Sequence, residues 1–213
     1  MLVRNFRPFP VFILLFCAGL SFLFVPAPST AEGFQITPFM GYRVGGGFED
    51  AGTGERLDLS EEETYGIIIG KDISPGKQYE FFYSYQPSRL TAGGVVTPGV
   101  LTDVDVEYFH IGGRNYWDKG RARTFVAGGV GATHFDPHAS NMRSETRFSI
   151  SLGGGVELGA SERVAIRLEG RGFGTFLNSS GAIFCSSSSG CEIYINSDLL
   201  WQFEFGAGVA FKF

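Results

Sequence analysis

Charged residues are scarce in this sequence, and so are long apolar runs. Asp, Glu, Lys and Arg together make up 18% of the 213 residues. The one continuous apolar run is Val11–Val25, and no later segment approaches the roughly 20 apolar residues that a membrane-spanning helix needs. After that run, hydrophobic residues alternate with polar ones. The sequence therefore argues against a bundle of membrane helices and favours strands.

The chain also lacks an excess of basic residues. It has 17 Lys and Arg against 22 Asp and Glu, which gives a formal net charge of −5. Residues 1–31 contain Arg4 and Arg7 and no acid, so the remaining chain has 15 basic and 22 acidic residues and a net charge of −7. This balance gives no basic patch for nucleic acid, and we predict no nucleic-acid partner.

The amino terminus has the features of a secretory signal peptide. A basic start is followed by the apolar run and by small residues at Ser29 and Ala31. We predict cleavage after Ala31, with residues 1–31 as signal peptide and residues 32–213 as one domain. The alternative is an uncleaved anchor, but the run of 15 residues is short for a spanning helix.

Cysteine is rare, with three in the chain. Cys17 follows Phe16, whereas a lipoprotein site needs a small residue there, so lipidation is not expected. Cys185 and Cys191 flank the sequence SSSSG, and in an oxidising compartment they predict a disulfide that closes a small loop. A metal site would need more ligands than the neighbouring Glu192 supplies, and we predict no metal and no cofactor.

What the sequence does contain is a sustained period of two, clearest in the closing stretch Leu199–Phe213. Gln202, Glu204, Lys212 and several small residues fall on one face of this stretch. The other face is apolar throughout and holds Leu199, Trp201, Phe203, Phe205, Ala207, Val209, Phe211 and Phe213. A transmembrane β-strand needs about 9–11 residues with alternate side chains toward lipid, and this stretch meets that requirement.

Seven earlier stretches show a related signal, so we predict eight strands. Connections are short after even-numbered strands and long after odd-numbered ones, which is typical of the periplasmic turns and extracellular loops of outer-membrane barrels. The fourth strand is predicted to end at Gly113, and the short, charged stretch NYWDKGRAR is the connection after it. The faces of the second strand, Tyr65–Asp72, are blurred by consecutive isoleucines, and the fifth, Thr124–Phe135, is too rich in glycine to assign. An even number of strands lets the sheet close without an unpaired edge in lipid.

From residue 32 onward the chain resembles the small eight-stranded outer-membrane barrel family, of the OmpA-barrel and OmpX type. The resemblance is carried by ITPFMGYRVGG at the start, GGGVEL and SERVAIRLEGRG in the third hairpin, and WQFEFGAGVAFKF at the end. It implies an all-β, antiparallel up-and-down transmembrane barrel in a Gram-negative outer membrane. It also implies a monomer in contact with lipid and lipopolysaccharide. The barrel-assembly machinery would read the terminal strand at Phe205, Val209, Phe211 and Phe213.

The interior of such a barrel is just wide enough for side chains to fill it. Charges shielded from water must be paired, so we predict a lumen charge network. The inward set inferred from the alternation is Arg43, Glu80, Asp105, Glu107, Arg147, Glu157, Arg167, Glu169, Arg171 and Glu204. This network is either a polar plug that holds the barrel shape or a gated ion or proton path. A wide porin channel would need about 16 strands.

The stretch His138–Asn141 is the candidate for chemistry. His-x-Ser-Asn resembles the active-site motif of the outer-membrane lipid A deacylases, which use a Ser–His–acid arrangement. The resemblance implies Ser140 as nucleophile, His138 as base, and Glu145 or Glu157 as orienting acid. That family places the motif on a lipid-facing strand, whereas here it falls in a predicted polar loop. We predict no enzymatic activity and keep the hydrolase as an alternative.

Two further polar features have a purely structural interpretation as well as a functional one. The first long loop, which ends at Glu63, is acidic and suits either a solvated surface or a hard-cation site. His110 is expected near the periplasmic end of the fourth strand, as an interfacial or hydrogen-bonded residue.

The function predicted is structural, for envelope integrity, or an interaction at the cell surface through the loops. A narrow channel for small solutes or hydrophobic compounds is the alternative. If the alternation instead belonged to a water-soluble, lipocalin-like barrel, the lipid-facing residues would become core residues.

Overall fold

The computed structural model describes residues 33–49, 56–92, 99–139, 142–177, 182–183, 193–194 and 199–213. The predicted signal peptide, Ser140 and the pair Cys185 and Cys191 lie outside the described residues. The corresponding predictions of cleavage, a nucleophile and a disulfide stay predictions. No helix in the described part of the chain is long and apolar enough to cross a membrane.

Twelve strands follow one another along these residues. They are β1 (Phe34–Gly45), β2 (Gly47–Glu49), β3 (Arg56–Leu59), β4 (Glu62–Ser74), β5 (Lys77–Ala92), β6 (Gly99–Lys119), β7 (Ala122–Pro137), β8 (Glu145–Gly159), β9 (Val164–Phe176), β10 (Ala182–Ile183), β11 (Ile193–Tyr194) and β12 (Leu199–Lys212). Four of them, β2, β3, β10 and β11, are only two to four residues long, and the other eight form the barrel wall.

The wall is a closed antiparallel sheet. Each wall strand pairs with the next one along the chain, and β1 pairs with β4 on one side and β12 on the other. The seam between β1 and β12 runs from Gln35 opposite Lys212 to Gly45 opposite Gln202. Closure leaves no edge of the wall unpaired, which is what a lipid environment demands. This confirms the predicted eight-stranded antiparallel barrel.

One end of the barrel has short turns and the other has longer connections, as predicted. Gly76 and Gly120 occupy two of the short turns with φ of 78° and 69°, a conformation that glycine adopts at least cost. The turn after β6 is shorter than expected. The stretch NYWDKGRAR, predicted as a connection, is mostly strand, and Gly120–Arg121 alone reverses the chain. By the general rule for these barrels the short turns mark the periplasmic end.

At the opposite end the sheet continues above the wall. The segment after β1, expected to be a loop, contains the β2–β3 hairpin, and β3 pairs with the top of β5 from Leu57 opposite Ala92 to Leu59 opposite Leu90. This extension brings Leu57 and Leu59 over the extracellular mouth of the lumen, where both are buried.

Alternation assigns a face to every wall strand, including the two that the sequence left open. In β4, Ile68 is buried and its neighbour Ile69 is exposed. In β7, Phe125 and Ala127 are buried and Val126 is exposed. Because successive side chains of a strand point to opposite faces, one buried residue is enough to assign the inner and outer face of the whole strand.

The predicted faces of β6 were wrong at its extracellular end. Val104 and Val106 point inward and are fully buried, so Asp105 and Glu107 lie on the outer face and are not part of the lumen. The prediction applied the membrane rule, apolar outward and polar inward. This end of the strand instead follows the rule of water-soluble proteins, with an apolar interior and a polar exterior.

Candidate functional site

The centre of the lumen holds a closed ring of four charged side chains from two facing strands. Glu80 of β5 contacts Arg167 at 2.9 Å and Arg171 at 2.5 Å. Glu169, which lies between these two arginines on β9, contacts each of them at 2.7 Å. Each carboxylate thus bridges two guanidiniums, a geometry that the planar, multi-donor arginine fork suits. The ring fastens β5 to β9 across the lumen.

A second ion pair lies nearer the extracellular end and crosses the β1–β12 seam. Arg43 of β1 donates to Glu204 of β12 through Nε at 3.1 Å and Nη2 at 2.8 Å. The Ser84 hydroxyl on β5 donates to the same carboxylate oxygen at 2.7 Å. All three side chains are buried. A buried charge must be compensated, and here the carboxylate of Glu204 compensates the guanidinium of Arg43.

A third cluster closes the periplasmic end of the lumen. Arg114 of β6 is paired with Glu157 of β8, and Gln35 donates to Glu157 at 2.7 Å. Arg123 and Lys212 approach the same carboxylate at 4.0 and 3.9 Å.

Arg114 was absent from the predicted network because the predicted fourth strand ended at Gly113. The predicted alternation gave no signal for it, since it placed the even-numbered residues of this strand outward, whereas Val106, His110 and Arg114 all point inward.

The remaining predicted lumen residue with a charge, Arg147, stands apart from these clusters. It pairs with Glu145, two residues away on β8, near the extracellular mouth. Of the ten residues predicted for the network, the structure brings together seven in the three clusters: Arg43, Glu80, Glu157, Arg167, Glu169, Arg171 and Glu204. Asp105 and Glu107 are on the outer surface, as described above.

An aromatic layer lies beside the upper two clusters. Phe173 stacks on Tyr108 with ring centroids 4.1 Å apart and contacts Phe82 at 5.7 Å. Of the two expectations for His110, interfacial or hydrogen-bonded, the structure supports the second, and the residue lies in the lumen, almost fully buried. Its ring nitrogens are 2.8 Å from the Ser151 hydroxyl and 2.7 Å from the Ser149 hydroxyl.

The extracellular third of the lumen is largely apolar. Above the aromatic layer, buried aliphatic and aromatic side chains from β3, β5, β6, β7, β12 and the residue after β9 pack together: Leu57, Leu59, Leu90, Val104, Val106, Phe135, Leu177 and Leu200. Below them lies a cavity of about 10 Å³. It is bounded on one side by charged side chains of the central ring, including Arg167 and Arg171, and on the other by Phe39, Ile68 and Phe82. A cavity of that size holds about one water molecule. The described side chains therefore fill the lumen with a polar lower part and a largely apolar upper part, in which Ser88 and Thr102 are also buried.

The outer face near the extracellular end carries hydrogen-bonded acids. Asp105 accepts from the Tyr85 hydroxyl at 3.0 Å and lies 3.1 Å from Nε2 of His138. Glu107 accepts from the Tyr83 hydroxyl at 2.6 Å. These contacts follow from the outward parity of the odd-numbered residues of β5 and β6.

The structure does not bring His138 together with either of the predicted orienting acids, Glu145 and Glu157. The carboxylate beside His138 is Asp105, and neither Glu145 nor Glu157 takes that place. Glu145 is paired with Arg147, and Glu157 lies opposite Arg123 at the far end of β7. The prediction that Glu145 or Glu157 orients His138 is therefore wrong. Among the described residues, no group of three or more His, Cys, Asp or Glu side chains is placed to hold a metal ion.

The predicted assembly-signal residues lie along the outer face of β12 and just after it. Phe205, Val209 and Phe213 are exposed, and Phe211 is partly buried. Phe205 is in register with Gly170 of β9, and a Cβ atom at that glycine would lie 3.4 Å from its ring. The aromatic ring therefore lies against the wall where the neighbouring strand has no side chain.

Comparison with known proteins identifies the family. The family model described as outer membrane protein beta-barrel domain matches residues 15–213. No curated protein matches the sequence at a significant level.

Solved structures share the fold at low sequence identity. Neisserial surface protein A is 13% identical with a TM-score of 0.58, over 85% of this chain and 98% of that one. OprG from Pseudomonas aeruginosa is 12% identical with a TM-score of 0.58, over 86% and 97%. AlkL, solved in DMPC bilayers, is 17% identical with a TM-score of 0.50, over 89% and 95%. These likenesses concern the fold, and with the family match they support an outer-membrane location. The chain belongs to the outer membrane protein beta-barrel domain family.

Proposed function

We propose that this chain is a structural outer-membrane barrel that presents its extracellular connections at the cell surface and does not conduct solutes through its lumen. The observation that carries the proposal is the apolar layer above the ion pairs. A conducting path needs a continuous column of water. The buried leucines and valines packed together at the extracellular mouth interrupt such a column, although Ser88 and Thr102 are buried at the same height. The ion-paired lower lumen supports the same conclusion, because each charge already has a protein partner.

Conductance of the refolded protein in planar bilayers tests the proposal. We expect no discrete current steps from the wild type. A double variant, Leu90→Ala with Leu200→Ala, thins the apolar layer and serves as the comparison. Stable, uniform current steps from the wild type would overturn the proposal and favour the narrow channel.

A variant with a shortened loop distinguishes a role in envelope integrity from an interaction at the cell surface. Residues 93–98, between β5 and β6, can be replaced by Asn-Gly, the dipeptide that favours a two-residue hairpin. If a deletion strain becomes sensitive to detergent and EDTA, and the shortened barrel restores resistance fully, the role is structural. If only the full-length loop restores it, the role lies at the surface. No change in the deletion strain would remove the integrity role.

The route to the membrane is part of the proposal. We propose export by the signal peptide with cleavage after Ala31, insertion of a monomer by the barrel-assembly machinery, and contact with outer-membrane lipid and lipopolysaccharide. Amino-terminal sequencing of protein from purified outer membranes tests the cleavage, and Glu32 is the expected first residue. Any other start would contradict this site.

One contact favours a second candidate function, a lipid A hydrolase. His138 is hydrogen-bonded to Asp105, which orients a histidine as a general base requires, and Ser140 is two residues away in the sequence. Lipid A from cells that overproduce the wild type or the Ser140→Ala variant is compared by mass spectrometry. Loss of an acyl chain with the wild type alone would establish the hydrolase. Identical lipid A in the two strains and in cells without the protein would eliminate it.

A further inference from the structure

The two ends of the barrel carry opposite charge. At the short-turn end, apart from Arg114 and Glu157 in the lumen, the described side chains include six cations and three acids: Lys71, Lys77, Arg121, Arg123, Arg163 and Lys212 against Asp72, Asp118 and Glu162. At the other end nine acids face four cations: Asp58, Glu61, Glu62, Glu63, Asp103, Asp105, Glu107, Asp136 and Glu145 against Arg56, Arg89, Arg143 and Arg147. The described part of a chain that is acidic as a whole is therefore net positive at the short-turn end and net negative at the other.

The positive charge is distributed around the short-turn end. Each of the three short turns presents an exposed cation: Lys77 after the first, Arg121 in the second and Arg163 in the third. No ion pair between described side chains joins Asp72, Asp118 or Glu162 to these three cations. Asp118 is instead paired with Arg123 at 2.6 Å. We call the three exposed cations Lys77, Arg121 and Arg163 the turn cations.

The turn cations lie at the level of lipid headgroups. Outward aromatic side chains stand just inside them on the wall, with Tyr79 and Trp117 65% and 55% exposed. Aromatic residues in this position mark the membrane–water interface of outer-membrane barrels. The ammonium group of Lys71 sits 4.3 Å from the centre of the Phe34 ring, so a cation and an aromatic residue already share this boundary.

We propose that the turn cations bind the phosphate groups of anionic phospholipids in the leaflet at the short-turn end. Phosphate is the negative group present at that depth, and lysine and arginine chains extend along the wall to reach it. Each cation close to an anionic membrane surface favours binding by roughly fivefold. Because the sites surround the barrel, the expected result is a shell enriched in anionic lipid at this end and not at the acidic end.

The two tryptophans of the chain make the inference measurable. Trp117 lies beside the turn cations, and Trp201 lies toward the start of β12, near the extracellular end. In a Trp201→Phe protein, Trp117 reports the short-turn end, whereas in a Trp117→Phe protein, Trp201 reports the other. Each is refolded into phosphatidylcholine vesicles containing a small fraction of brominated phosphatidylglycerol or, for comparison, brominated phosphatidylcholine.

We expect brominated phosphatidylglycerol to quench Trp117 several-fold more effectively than brominated phosphatidylcholine, and to show no such preference for Trp201. The triple variant Lys77→Gln, Arg121→Gln, Arg163→Gln should lose the preference. The control variant Arg56→Gln, Arg89→Gln, Arg143→Gln, which removes three cations at the other end, should keep it. Heat-dependent gel mobility checks that both variants are folded. Equal quenching by the two lipids, or a preference that persists in the turn-cation variant, would overturn the inference.

Discussion

The lower and upper parts of the lumen are filled by different chemistry, although the same strands run through both. Below, Arg and Glu side chains from facing strands are paired, as in the ring of Glu80, Arg167, Glu169 and Arg171. Above, Leu, Val and Phe side chains form an apolar core. Strand β6 shows the change within one element: it points Val104 and Val106 inward at the top and His110 and Arg114 inward further down.

The difference follows from what surrounds the barrel at each height. Where lipid covers the outer face, that face is apolar, and the interior can hold polar groups that are paired with each other. Where water covers it, the apolar residues must point inward to be buried, as in a water-soluble sheet. Even-numbered side chains of β6 point inward from Thr102 to Arg114. What changes with height is whether the inward side chains are apolar or polar.

The largest effect is expected from breaking the central ring. Glu80→Gln removes one of the two carboxylates that compensate Arg167 and Arg171, so Glu169 alone is left to face two buried guanidiniums. Leaving buried charge uncompensated costs about 3–5 kcal/mol. The free energy of unfolding is measured by urea titration in lipid vesicles. Glu62→Gln, which breaks the exposed contact with Arg89, is the control and should change it by at most about 1 kcal/mol. Equal effects would mean that the ring contributes no more than a surface pair.

The apolar layer should give the next largest effect. Leu90 is fully buried among the upper side chains, and Leu90→Ala should lower the free energy of unfolding by about 2–5 kcal/mol through lost burial and the cavity that remains. Leu101→Ala, at a residue 47% exposed on the same hairpin, is the matched control and should be nearly neutral. A neutral Leu90→Ala would contradict the assignment of a packed core at this height.

A smaller effect is expected at the glycines of β7, where the inner and outer faces differ. A Cβ atom at Gly131 would lie 1.8 Å from the backbone oxygen of Phe109, whereas one at Gly128 finds its nearest neighbour at 3.5 Å. Gly131→Ala should therefore destabilise the barrel by about 1–3 kcal/mol, and Gly128→Ala should be tolerated. Heat-dependent gel mobility across a temperature series ranks the two variants, and a reversed order would be inconsistent with the assigned faces.

The smallest effect on stability is expected at Asp105, and it tests the assignment of this residue to the outer face of β6. Asp105→Asn removes an exposed contact with His138, and we expect a change in unfolding free energy of at most about 1 kcal/mol. If Asp105 were a buried partner in the lumen network, the same substitution would cost several times more. Urea titration beside the Glu80→Gln variant distinguishes the two placements.

Most of the fold was predictable from residues close together in the sequence. Alternation over Leu199–Phe213 identified a membrane strand, and the pairing of short and long connections gave the strand number and direction. The family match from residue 15 to residue 213 confirms this identification. Arg114 was missed and Asp105 was misplaced for one reason: the sequence does not state where a strand begins or where it leaves the membrane.

The sequence by itself determined that the chain is a closed barrel of eight amphipathic strands, because a period of two and the position of turns are local properties. Only the tertiary structure decided which charges are paired, since Glu80 and Arg167 are 87 residues apart and meet only when the sheet closes. It also decided where the lumen changes from polar to apolar. That boundary depends on the height of each residue in the closed barrel, which the sheet register sets and no single strand encodes.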